Sequence, residues 1–187
     1  SELAEFIVMA KKNIKTTLGS IDQLLYWITR DKGIVRPTDV QIKEVVEDSI
    51  EIYRSNIDAK NARINYSQLG DQTIFFDQAH LDIIARNLLS NSLKHIPNEG
   101  TIDISYTKSE NAAHLSYHDN GSGIPKNILE AVTKGNFNEV RPSGRRKGTG
   151  LGLELVYDLA KMNGASVSID SSPESGTSIT ITKKHHI

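Results

Sequence analysis

The sequence predicts an α+β domain in which helices cover one side of a mixed or antiparallel sheet, entered through one long N-terminal helix. Three observations carry this reading. Segments 101–107 and 113–118 alternate apolar and polar residues with period two, so each has one wet and one dry face. Segment 40–59 instead repeats apolar residues at helical steps, which supplies a layer to cover the dry face. Residues 2–30 hold no proline and one glycine, Gly19, and place Ile7, Ala10, Ile14, Thr17, Ile21, Leu24 and Ile28 at three- and four-residue steps.

The single stripe of residues 2–30 needs a second helix, from this chain or a partner; packing on its own domain is the alternative. Asp31-Lys32-Gly33 ends that helix and Pro37-Thr38-Asp39 starts another, so a hinge divides residues 1–33 from residues 34–187. From Val40 to Ala59, Ile42, Val45, Val46, Ile50 and Tyr53 make an amphipathic helix. Strands are expected at Arg63–Gln68 and Thr73–Phe76, after which Asp77 caps the next helix. That helix places Asn87, Asn91 and Lys94 at i, i+4 and i+7, on one face. Beyond the two alternating strands, residues 133–150 form a long polar loop with Gly135, Pro142, Gly144, Gly148 and Gly150. A helix over 151–163 ends at Asn163-Gly164, and strands Ala165–Asp170 and Thr177–Thr182 close the chain.

Composition narrows the function. The 187 residues are 37% hydrophobic, enough for one domain core and an extra element. A formal net charge of −1 gives no global attraction to nucleic acid or to an anionic membrane, so affinity for phosphate has to be local. Without cysteine there are no disulfides, thiolate nucleophiles or sulfur-ligated zinc, which fits a reducing compartment. No apolar run has the length of a membrane span and residues 1–30 lack a signal-peptide core; the chain is cytoplasmic in character, or a soluble piece of an anchored protein. Repeats and low-complexity segments are missing.

Three stretches carry chemistry. In DNGSGIP (119–125), two glycines allow close backbone approach and Asp119 can accept from an exocyclic amine; the same letters also read as a turn. In KGTGLGLELV (147–156), alternate glycines run into a helix start, where backbone N–H groups suit phosphate. It is neither a Walker loop nor a dinucleotide fingerprint. The line Asn87, Asn91, Lys94 offers two amide oxygens, hard ligands for magnesium, and an ammonium for phosphate, or is a solvated helix face.

In this order, Asn-x-x-x-Asn, Asp-x-Gly-x-Gly and Gly-x-Gly-Leu-Gly resemble the N box and two glycine boxes of the catalytic, ATP-binding domain of sensor histidine kinases, in the superfamily of DNA gyrase B, Hsp90 and MutL. The resemblance runs from about Val40 to Lys183, and Ser175-Gly176-Thr177 is similar to the family's final Gly-Thr element. It implies a two-layer α/β sandwich of the Bergerat type, with ATP between the N-box helix and a lid over roughly residues 133–150. It further implies that Asp119 accepts the adenine amino group, that Asn87 and Asn91 hold Mg2+, and that Lys94 contacts phosphate, Asn87 and Lys94 being the catalytic pair. Gly121, Gly123, Gly148, Gly150 and Gly152 would let backbone approach the nucleotide. His95, Ile124, Arg146, Lys147, Thr149, Leu151 and Thr177 complete the implied set, with Phe137 as a hydrophobic lid residue. His95 and Ile96 depart from the family's usual aromatic residue and Thr.

The segment LLYWITRDKG (24–33) resembles the end of the second helix of the kinase dimerisation and phosphotransfer module. None of the six histidines (80, 95, 114, 118, 185, 186) stands in a phosphoacceptor context. The resemblance therefore implies a fragment that begins after the acceptor histidine, binds ATP and does not phosphorylate itself. The N-box position of Asn87 carries a glutamate in the gyrase and Hsp90 branches, which favours kinase over ATPase. Implied partners are a second copy, through the N-terminal helix, and a response regulator receiver domain. The alternatives are a non-catalytic nucleotide-sensing module of the same fold and an anti-sigma serine kinase, the latter disfavoured by the long N-terminal helix.

Overall fold

The computed structural model describes residues 34–137 and 151–184. The helix expected over 2–30, its end at 31–33 and loop residues 138–150 lie outside the described residues. Strand β1 (Pro37–Gln41) corrects the expectation that Pro37-Thr38-Asp39 starts a helix. Pro37, lacking an N–H, occupies the first strand position, and β1 pairs antiparallel with β3 (Thr73–Asp77), setting Val40 opposite Ile74. Helix α1 (Ile42–Lys60) follows directly, burying Ile42, Val45, Val46, Ile50 and Ile57. It ends at Asn61, whose φ of 50° is left-handed. Strand β2 (Arg63–Asn65) is only three residues long, shorter than expected, because residues from Tyr66 turn back, Leu69 N–H donating to Tyr66 O at 3.1 Å.

Asp77 caps helix α2 (Gln78–His95) as the sequence predicts. Its Oδ1 accepts from His80 N–H at 3.2 Å and its Oδ2 from Arg36 N–H at 2.8 Å. Leu81, Ile84, Ala85, Leu88, Leu89 and Leu93 are buried, and α2 packs between α1 and α4 (Leu151–Met162) while resting on β5 (Ala112–Asp119). Strand β4 (Thr101–Lys108) pairs antiparallel with β5. A short helix α3 (Lys126–Thr133), absent from the sequence reading, buries Ala131 and Val132 and packs against β6 (Ala165–Ser172). Strand β7 (Gly176–Lys184) completes a sheet in the order β2-β4-β5-β7-β6. The β2–β4 pair is parallel and the others antiparallel, so the sheet is mixed, as expected.

The two sheet faces differ as their alternation requires. One carries Ile102, Ile104, Leu115, Tyr117, Ile179 and Ile181, all buried. The other carries hydroxyls and imidazoles that bond across strands, with Ser116 to Thr180 at 2.8 Å and His114 Nδ1 to Thr182 Oγ1 at 3.0 Å. Among the described residues no helix is long and apolar enough to cross a membrane.

Tyr117 is fully buried, and its hydroxyl has no partner among the described residues. Desolvation raises its pKa far above the ordinary value of 10.0. A raised folded-state value leaves stability independent of this group's ionisation below pH 10 and makes it fall as pH rises further, where the unfolded phenol ionises first. Tyr117→Phe should therefore lessen the alkaline loss of stability. At pH 8 it should add about 1 kcal/mol, since an unmet buried hydroxyl costs roughly 1–3 kcal/mol. Urea unfolding at pH 8 and pH 10.5 measures both; identical alkaline losses in the two proteins would refute the assignment.

Candidate functional site

Asp119 ends β5 on the dry face, paired with Ile102 and Thr177, and is 5% exposed. A carboxylate there needs donors, and two reach it. Ser92 Oγ on α2 donates to Oδ2 at 2.8 Å, and Gly121 N–H donates to Oδ1 at 2.9 Å. The helix and the following loop thus both orient the carboxylate. The sequence reading selected Asp119 and Gly121 but missed Ser92, which sits in a leucine-rich run without any pattern to mark it.

The loop after Asp119 is fastened to its neighbours. Ser122 N–H donates to His95 O at 3.4 Å, and Ile124 N–H to Ser171 Oγ at 2.8 Å. Ser171 also lies 2.9 Å from the buried Thr177 hydroxyl, tying the loop to the ends of β6 and β7. Gly123 has φ +71°, and a Cβ there would stand 2.4 Å from Ser172 O. At Gly121 a Cβ would stand 2.7 Å from Asp119 Oδ1. The space these glycines leave is filled by the protein itself, so their first task is to seat the loop on Asp119 and β6.

On α2, Asn87 Nδ2 donates to Ile83 O at 2.8 Å, which commits the amide N–H side to the helix and leaves Oδ1 on the other. A Cβ on Gly152 would lie 2.7 Å from that Oδ1, so the first asparagine of one motif meets the last glycine of another. Asn91 is half-buried one turn on. Lys94 is exposed as a residue, yet the protein around it partly desolvates the ammonium and lowers its pKa. His95 is exposed in the last turn. Leu151 opens α4. Phe137 meets Tyr157 of α4 edge to face, ring centroids 5.2 Å apart. Arg146, Lys147, Gly148, Thr149 and Gly150 lie outside the described residues.

The end of β5 thus holds a buried carboxylate fixed from α2, the helix that also carries Asn87, Asn91 and Lys94, and Gly152 of α4 lies against the first of these amides. Residues 76–187 match the model of the histidine kinase-, DNA gyrase B- and HSP90-like ATPases. The chain belongs to this ATPase family. Among named relatives of this family member, sporulation kinase A of Bacillus subtilis is 33% identical over 105 residues, 56% of this chain and 16% of the relative. The histidine protein kinase SaeS of Staphylococcus aureus is 26% identical over 181 residues, 94% of this chain and 51% of the relative. The chain thus spans about half, or less, of the length of these relatives. In fold, this ATPase-family domain matches the mycobacterial sensor histidine kinase MprB with a TM-score of 0.64 at 24% identity, covering 81% of this chain and 97% of that one.

Proposed function

We propose that this chain is the ATP-binding catalytic part of a sensor histidine kinase, passing the γ-phosphate of ATP to a histidine outside these 187 residues. The observation that carries the reading is the buried Asp119 carboxylate at the end of β5, fixed by Gly121 and by Ser92 of α2, the helix that also bears the two amides. A carboxylate is an acceptor only, which suits the amino group of adenine. The residues present also fit a magnesium ion. Asn87 spends its N–H on Ile83 O, leaving an amide oxygen, the donor that a hard cation takes, and Asn91 offers a second. Bound there, magnesium would neutralise charge on the phosphates.

The remaining work belongs to the protein. Asp119 would orient the base, Asn87 and Asn91 would hold the metal, and the Lys94 ammonium, already partly desolvated, would add attraction for the phosphates. Phosphoryl transfer needs such positioning and charge compensation more than covalent participation. An amide at position 87 cannot act as general base toward water, which favours transfer over hydrolysis. In the cell the chain would act in the cytoplasm, as a homodimer through its N-terminal helix, and serve a response regulator receiver domain.

Calorimetric titration with ATP, with and without magnesium, tests the metal assignment. Asn87→Ala should remove most of the magnesium-dependent gain, about tenfold in affinity. Equal magnesium dependence in both proteins would refute it. With labelled ATP the chain alone should retain no phosphate; stable labelling of its own histidines would contradict the proposed transfer to an outside residue.

A further inference from the structure

Ser92 is buried on a helix face otherwise made of Leu88, Leu89 and Leu93. A helical serine normally turns its hydroxyl back to the carbonyl four residues earlier. Here the proton goes to Asp119 Oδ2 at 2.8 Å instead. Gly121 N–H holds the other oxygen at 2.9 Å, and these are the hydrogen bonds to the carboxylate among the described residues. Each oxygen has two lone-pair directions, so one on each is spent inside the protein and the carboxylate plane is pinned. Because the Ser92 proton is committed to Asp119, the hydroxyl offers only lone pairs to anything else. The Ser92–Asp119 pair therefore presents acceptors alone.

We infer that Ser92 is a positioning residue for base recognition: by fixing Asp119 from α2 it sets the preference for a purine bearing an exocyclic amine over one without it. An amine would meet correctly placed acceptors, whereas a purine lacking that group leaves them unmatched. This inference rests on the nucleotide-binding reading above and adds to it a residue and a selectivity.

The test compares wild type with Ser92→Ala by titrating the full chain, in magnesium, with ATP and with purine riboside triphosphate, which lacks the amine. Wild type should prefer ATP. Ser92→Ala should bind ATP about tenfold more weakly while its affinity for the purine analogue stays constant, so the preference shrinks by the same factor. Ser92→Thr, which keeps the hydroxyl, should retain the preference, and thermal melting verifies that each variant is folded. The inference is overturned if Ser92→Ala keeps the full preference, or if both affinities fall together as a general structural defect would make them. Absence of ATP binding by wild type is a different result: it defeats the nucleotide reading itself, and this inference with it.

Discussion

Asp119→Asn should abolish measurable ATP binding at ordinary concentrations, with an affinity loss on the order of a hundredfold, while leaving the domain folded. The substitution preserves shape but turns one of two acceptor oxygens into an NH2 donor. Either the Gly121 N–H or the Ser92 hydroxyl then faces a donor, and the serine can adapt by rotating to accept from it. The ligand has no such freedom, because an amine N–H would meet another N–H. Losing a hydrogen bond to a charged acceptor costs about 1.5–3 kcal/mol, which spans the expected factor. Titration of both proteins, with melting curves alongside, decides the matter. If the variant binds ATP as wild type does, Asp119 is not the base-recognition residue.

The second large effect is expected at Gly176. Its φ is +78°, and a Cβ built there would stand 1.8 Å from the carbonyl oxygen of Asp119 and 2.8 Å from its carbonyl carbon. Left-handed backbone alone costs an ordinary residue about 1–2 kcal/mol. The overlap adds more, because the obstructing atoms are backbone and cannot rotate aside. Gly176→Ala should therefore destabilise the domain by roughly 3 kcal/mol or more, lowering Tm by about 10 °C, and should displace Asp119 enough to weaken ATP binding as well. Gly70 is the control. It has φ +51° with nothing within 4 Å of the added Cβ, so Gly70→Ala should show the conformational cost alone. Equal melting shifts for the two variants would rule out the steric account.

The difference between those two glycines also shows where a sequence stops being informative. Nothing in the chain order separates them, and only the pairing of β5 with β7 brings Asp119 O against one of them. The same limit hid Ser92, whose role depends on where α2 crosses the end of β5. Period-two alternation was legible because one sheet face is wet, and the expected strands at 101–107 and 113–118 differ from β4 and β5 by a residue or so. The cap at Asp77 was legible because its chemistry is local. Pro37-Thr38-Asp39 misled for the opposite reason: the local signals resemble a helix start, and pairing with distant Thr73–Asp77 overrides them. Helix α3 escaped because eight residues give too few turns for a period to stand out. Asn87 and Gly152 were both singled out, but their meeting in space was readable only through the resemblance.

Helix α2, held between α1 and α4 and lying on β5, has little opportunity to open by itself. Amide protons in such an element exchange with solvent chiefly when the whole domain unfolds, so those near Leu88 and Leu89 should be among the slowest to take up deuterium. Asn87, Ser92 and Asp119 thus stand in position before any ligand arrives. Little of a ligand's affinity would be spent on ordering them.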